Sequence, residues 1–105
     1  TMNEENYVGA VWFLRNIIAA HNADVVKLNN DIELYHLSRR ILGKTKWCDV
    51  YEETYYGDPF RLYRYEFDGF MAYAYVFCEM SVALVVRGAA GAIALVSEEH
   101  GSRRI

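Results

Sequence analysis

Phe60-Arg61-Leu62-Tyr63-Arg64-Tyr65-Glu66-Phe67-Asp68-Gly69-Phe70-Met71-Ala72-Tyr73-Ala74-Tyr75-Val76-Phe77 carries the strongest structural signal in the chain. The pattern has a period of two on both sides of Asp68-Gly69, with large and small residues alternating over Ala72-Tyr73-Ala74-Tyr75, which is the period of a strand rather than a helix. Asp-Gly between two such runs marks a type I′ hairpin turn, in which both central residues need positive φ. A two-residue loop sets Phe67 opposite Phe70, Tyr65 opposite Ala72 and Tyr63 opposite Ala74. On the other face Leu62 meets Tyr75, Arg64 meets Tyr73 and Phe60 meets Phe77. Large residues then stand opposite small ones along one face, which fills a pleated surface evenly.

Outward from this hairpin the strand pattern continues. Gly57-Asp58-Pro59 reads as a second turn, joining a strand over about 47–56 to the central one. A three-residue loop predicts Tyr56 opposite Phe60, Glu52 opposite Arg64 and Tyr51 opposite Tyr65. Downstream, Val82–Val86 and Ala92–Val96 read as two further strands joined through Arg87-Gly88-Ala89-Ala90-Gly91. The competing reading makes 73–86 a buried helix. The dominance of Val, Tyr and Phe favours strands.

Before Gly43 the period is helical. A first helix is expected over 4–20, with Asn3 as cap and Glu4 and Glu5 at the positive end of the dipole. Tyr7, Val11, Leu14 and Ile18 form one stripe, and Trp12, Phe13 and Ile17 widen it, which implies cover on more than one side. His21-Asn22 is a natural end. A second helix is expected over much of 24–42, on a stripe of Val25, Leu28, Ile32 and Tyr35 with Leu34, Leu37 and Ile41 beside it. Asn29-Asn30-Asp31 suits a cap better than a helix interior, so an alternative starts the helix at Asp31 and leaves 25–28 extended.

The chain has 105 residues, 53% hydrophobic and 24% charged, with 9 Tyr, 5 Phe and 2 Trp. That is one domain of ordinary globular balance, expected over 2–97 with a frayed tail over 98–105. The net charge of −3 argues against a surface built throughout for nucleic acid or anionic lipid. The most apolar stretch, 70–96, is interrupted by Glu79, Ser81 and Arg87, so no membrane span is expected. No basic, apolar leader opens the chain, and two cysteines make no disulfide framework. A cytoplasmic protein with reduced thiols is the resulting expectation. In the proposed meander Cys48 and Cys78 lie at opposite ends of the strands, too far apart to bridge.

The chemistry-bearing residues are scattered. His21, His36 and His100 lack metal-ligand spacing, so no metal or cofactor is expected. Cys78 reads as a small core residue, and no local motif activates Cys48. Gly88-Ala89-Ala90-Gly91 offers backbone N–H groups in principle, yet two glycines three apart are common in turns. Arg39, Arg40, Lys44 and Lys46 beside Trp47 form a basic cluster, more simply read as a helix C-terminus complementing its own dipole. The more unusual segment is 49–68, where Asp49, Glu52, Glu53, Asp58, Glu66 and Asp68 interleave with Tyr51, Tyr55, Tyr56, Tyr63 and Tyr65. Rigid amphipathic tyrosines with steering carboxylates suit the docking of a basic protein. Glu52 and Glu53 fall on opposite sides of a strand, so they make no catalytic dyad.

The pattern therefore predicts an α+β domain, with two N-terminal helices on one face of a mainly antiparallel four- or five-stranded sheet. The helices are expected over the face of Tyr63, Tyr65, Phe67, Ala72, Ala74, Val76 and Cys78. Phe60, Leu62, Met71, Tyr73, Tyr75 and Phe77 would then form an apolar patch that a second copy or a partner covers, with a homodimer the simplest choice. The expected function is non-enzymatic protein binding of the inhibitor or immunity type, anti-defence or toxin-neutralising, by steric occupation of a larger, basic partner. The residues expected to carry it are Glu52, Glu53, Tyr55, Tyr56, Asp58, Tyr73, Tyr75 and Phe77. The alternative is a small-molecule or nucleotide binder with a pocket between helices and sheet, using Tyr hydroxyls and Arg61 or Arg64. A small hydrolase would need His, Cys or carboxylates brought together from afar.

Overall fold

A computed structural model describes residues 4–42, 47–55, 57–78 and 80–97. The expected tail over 98–105 lies outside them, as do Lys44, Lys46 and the side chains of Cys48, Tyr55 and Tyr56. The elements run α1 (Glu4–His21), β1 (Asp24–Leu28), α2 (Asp31–Leu42), β2 (Trp47–Tyr55), β3 (Asp58–Phe67), β4 (Phe70–Phe77), β5 (Met80–Gly88) and β6 (Gly91–Ser97). Together the strands make one sheet in the order β1-β6-β5-β4-β3-β2. The β2–β6 part is an antiparallel meander, and β1 adds in parallel to β6.

The Asp68-Gly69 turn is as the sequence reads. Asp68 and Gly69 have φ of 45° and 80°, and every expected β3–β4 pair from Phe67↔Phe70 to Phe60↔Phe77 is present. The segment expected as strand or buried helix is strand in β4 (Phe70–Phe77) and β5 (Met80–Gly88), not helix. The β2–β3 register differs from expectation. Tyr55 pairs with Asp58 across a two-residue loop, which puts Glu52 opposite Arg61 rather than Arg64 and Val50 opposite Tyr63. The shift is three residues, an odd number, so it exchanges the faces of β2 relative to β3. Pro59 enters the strand instead of the loop, and its missing N–H is harmless at this strand start.

The larger correction concerns the layers. The two helices lie on opposite faces of the sheet. Ala10, Phe13, Leu14 and Ile17 of α1 pack on Tyr75, Phe77, Ala83, Val85, Ala92, Ala94 and Val96, with Phe60, Leu62 and Tyr73 at the margin. Leu34 of α2 packs on Ala72, Ala74 and Leu84, with Leu37, Tyr63, Val86 and Leu95 beside it. The small residues of β4 do leave room for a helix, but for α2 alone. The cause is β1. The five residues Asp24–Leu28 join the sheet at its edge, so the chain arrives from α1 on one face and departs into α2 on the other.

Local chemistry fixes both ends of β1. Asn22, at φ 49°, terminates α1: its N–H reaches the Ala19 carbonyl and that of Ala23 reaches the Ile18 carbonyl, the paired bonds of a left-handed helix stop. Asn30 caps α2 by accepting from the Glu33 N–H at 2.9 Å, while the Glu33 carboxylate accepts from the Asn29 N–H at 3.2 Å. With β1 removed from the helix, the buried stripe of α2 is Leu34, Leu37 and Ser38. Ile32 and Tyr35, expected inside, are 65% and 50% exposed. Trp12 is likewise exposed under Arg15, so the apolar arc of α1 is narrower than its sequence suggests.

Candidate functional site

The structure separates the residues that the sequence groups. Glu52 and Glu53 lie at the middle of β2, the terminal strand of the sheet, and both are exposed. Their alternation puts Glu52 on the α2 side, across from Arg61, and Glu53 on the α1 side, across from Phe60. Arg61 Nε donates to Glu52 Oε1 at 3.1 Å, and both side chains stay more than half exposed. Asp58, at the start of β3, is half-buried and its carboxylate lies against Gly9 of α1.

Tyr73, Tyr75 and Phe77 are not part of that surface. Phe77 is fully buried, with its ring stacked on Phe13 at 4.9 Å, and Tyr75 is 9% exposed. α1 covers the patch that was expected to need a second copy or a partner, so the reason for expecting a homodimer through it falls away. Cys78 lies at the β4–β5 turn, with φ 49°, rather than within a strand. Its backbone N–H donates to the Pro59 carbonyl, at the end of the meander away from the Asp68-Gly69 turn.

A polar cluster that the sequence does not signal sits where α1 ends. His21 Nε2 is 2.8 Å from the Tyr75 hydroxyl, and Arg87 reaches both His21 Nδ1, at 3.3 Å, and the His21 carbonyl, at 3.0 Å. The Tyr73 ring lies 4.7 Å from the imidazole. A guanidinium only donates, so Nδ1 accepts, and the neutral ring carries its proton on Nε2, which donates to Tyr75. Burial, and then the Arg87 charge, hold the imidazole below its ordinary range. Burial, followed by the neighbouring Tyr73, pushes the Tyr75 phenol up to about 12. Both groups are thus kept neutral. Arg87 supplies the cation that a helix C-terminus favours, and the cluster ties α1 to β4 and β5. Sequence spacing cannot reveal it: His21, Tyr75 and Arg87 converge only through the sheet.

Among the described residues no three His, Cys, Asp or Glu side chains come together as a metal site, and no helix is long and apolar enough to cross a membrane. Arg39 and Arg40 are exposed in the last turn of α2. The Gly88–Gly91 segment is a tight turn whose inner surface belongs to a groove of about 320 Å³, lined by Asp24, Phe70, Val86 and Ile93. Phe70 lies directly over Gly88: a Cβ there would come within 2.7 Å of its ring. Comparison with protein-family models, with curated proteins and with solved structures finds no match.

Proposed function

We propose that the protein is a non-enzymatic protein-binding domain of the inhibitor or immunity type, which blocks a larger, basic partner by occupying its surface. The observation that carries this reading is β2. It is a nine-residue strand at the end of the sheet, and among the described residues no further strand flanks it. Glu52 and Glu53 stand exposed on it, one on each face. Carboxylates so placed steer a positively charged partner and fix its register. The contact surface in this reading is built on Glu52 and Glu53, and not on Tyr73, Tyr75 and Phe77.

The alternative of a ligand pocket between helices and sheet has less support. Phe13, Leu14 and Ile17 fill the space under α1, and Leu34 and Leu37 that under α2. The test is affinity capture from the source cell with the parent and with a Glu52→Lys, Glu53→Lys variant. The parent is expected to retain a partner that the variant loses while its circular dichroism is unchanged. Capture of the same partner by both would refute the assignment of this surface.

A further inference from the structure

We infer that the outer edge of β2 takes up an extended, basic segment of the partner as a seventh strand. This rests on the protein-binding reading and adds the chemistry of what is bound. Hairpin geometry says which backbone groups are on offer. A two-residue loop makes its flanking residues a hydrogen-bonded pair, and such pairs recur at every second position. Tyr55↔Asp58 closes the β2–β3 loop, so Tyr55, Glu53, Tyr51 and Asp49 turn their N–H and C=O towards β3. The next hairpin gives an independent check. It closes at Phe67↔Phe70, which directs Tyr65, Tyr63, Arg61 and Pro59 towards β4, and the Cys78 N–H does meet the Pro59 carbonyl at 3.0 Å. The alternate residues of β3, Asp58, Phe60, Leu62 and Arg64, therefore face β2. Val50, Glu52 and Thr54 are left with N–H and C=O directed away from the sheet. Strand addition uses such a row of alternate donors and acceptors.

The charges decide what is added. A second copy pairing antiparallel about a two-fold axis must match Val50, Glu52 and Thr54 with one another. The registers that stay on the regular part of β2 are then few. Centred on Tyr51, Glu53 meets Asp49; centred on Glu52, Glu52 meets itself; centred on Glu53, Glu53 meets itself. Each of these sets carboxylates directly opposite, which is destabilising; of the two other registers, the one centred on Val50 runs into the irregularity between Trp47 and Asp49, and the one centred on Thr54 pairs only three residues before the strand ends. Edge charges of this kind keep like strands apart. The same charges attract a strand with two adjacent Lys or Arg residues, one over Glu52 and one over Glu53 on the two faces. The Arg61 contact does not remove Glu52 from this role, since its side chain remains 68% exposed.

The test uses the full chain, labelled with ¹⁵N, and two synthetic extended peptides of Val and Thr, one with Lys-Arg at its centre and one with Glu-Glu. The Lys-Arg peptide is expected to slow amide exchange at Val50, Glu52 and Thr54 and to leave Tyr51 and Glu53, already bonded to β3, as they were. The Glu-Glu peptide should bind about tenfold more weakly, from two opposed pairs changing sign. Thr54→Pro removes one outward N–H at a position an edge strand tolerates, and should abolish the protection. Glu52→Pro serves if Thr54→Pro does not fold. Equal affinity for the two peptides, protection at Tyr51 and Glu53 instead, or no protection at all overturns the inference. With the cellular partner, loss on charge reversal but retention by Thr54→Pro would mean recognition by side chains alone; strand addition then fails while the protein-binding reading stands. Retention by both variants overturns the two together.

Discussion

At the scale of single residues, two titrations report on the cluster at the end of α1. The imidazole of His21 has a folded value below the 6.5 of an unperturbed histidine. As pH falls the unfolded chain takes this proton first. The contribution of the neutral ring is therefore fully present above about 6.5 and declines as pH drops through the folded value. Urea midpoints measured at pH 7.5 and 5.5 should fall further in the parent than in His21→Gln, which cannot titrate; equal losses would place the proton elsewhere. Tyr75 works from the other side. Its phenol is raised from 10.0 to about 12, so stability falls as pH rises from 10 towards 12, where the unfolded chain ionises and the folded one resists. In a tyrosinate absorbance titration Tyr75→Phe should remove a phenol that ionises near pH 12. None of this was legible in the sequence, where His21 is only a polar residue at a helix end. The Asp68-Gly69 turn was, because its positive φ values are a property of the two residues themselves. Gly69→Val should lose about 1–3 kcal/mol from backbone strain alone, since nothing crowds the position. A thermal melt that matches the parent would contradict that.

Single elements were readable where local chemistry sets them and misread where the whole sheet does. The β3–β4 pairing follows from one turn, and it was fully anticipated. The β2–β3 register depends on whether Pro59 is loop or strand, and the opposite-charge argument for Glu52 could not choose between Arg61 and Arg64. Arg61 won because the loop is shorter. β1 has five residues and no alternation long enough to see, yet Asn29-Asn30 marked the place where α2 begins. Its removal changes which stripe of α2 is buried, and that is testable. Leu34→Ala, at a fully buried position between Ala72, Ala74 and Leu84, should cost about 2–5 kcal/mol. Ile32→Ala, mostly exposed, should stay within about 0.5 kcal/mol. Denaturant melts giving the reverse order would restore the continuous helix that the sequence pattern suggests.

For the whole molecule, one edge strand turns two layers into three. A chain of half apolar residues with two helices has enough side chains to cover both sheet faces, provided that the helices are split between them. β1 splits them by carrying the chain across the sheet edge. The apolar face of Tyr75 and Phe77 is then core, and the strand-addition reading falls on the opposite edge, β2. In the strand-addition reading, charge restrains that edge from pairing with its own copy: each register that pairs more than three residues of its regular part opposes carboxylates, Glu53 with Asp49 or either glutamate with itself. Glutamine has nearly the same shape without the charge, and its amide can pair with its equivalent across a two-fold axis. A Glu52→Gln, Glu53→Gln variant should therefore associate with rising concentration, while the parent under the same conditions does not. Light scattering over a concentration series distinguishes the two. Adding Thr54→Pro to that variant should suppress the association again, because it removes an outward N–H rather than a charge. If the glutamine variant scatters as the parent does at every concentration, the carboxylates are not what restrains this edge. If association persists after the proline change, it runs through another surface.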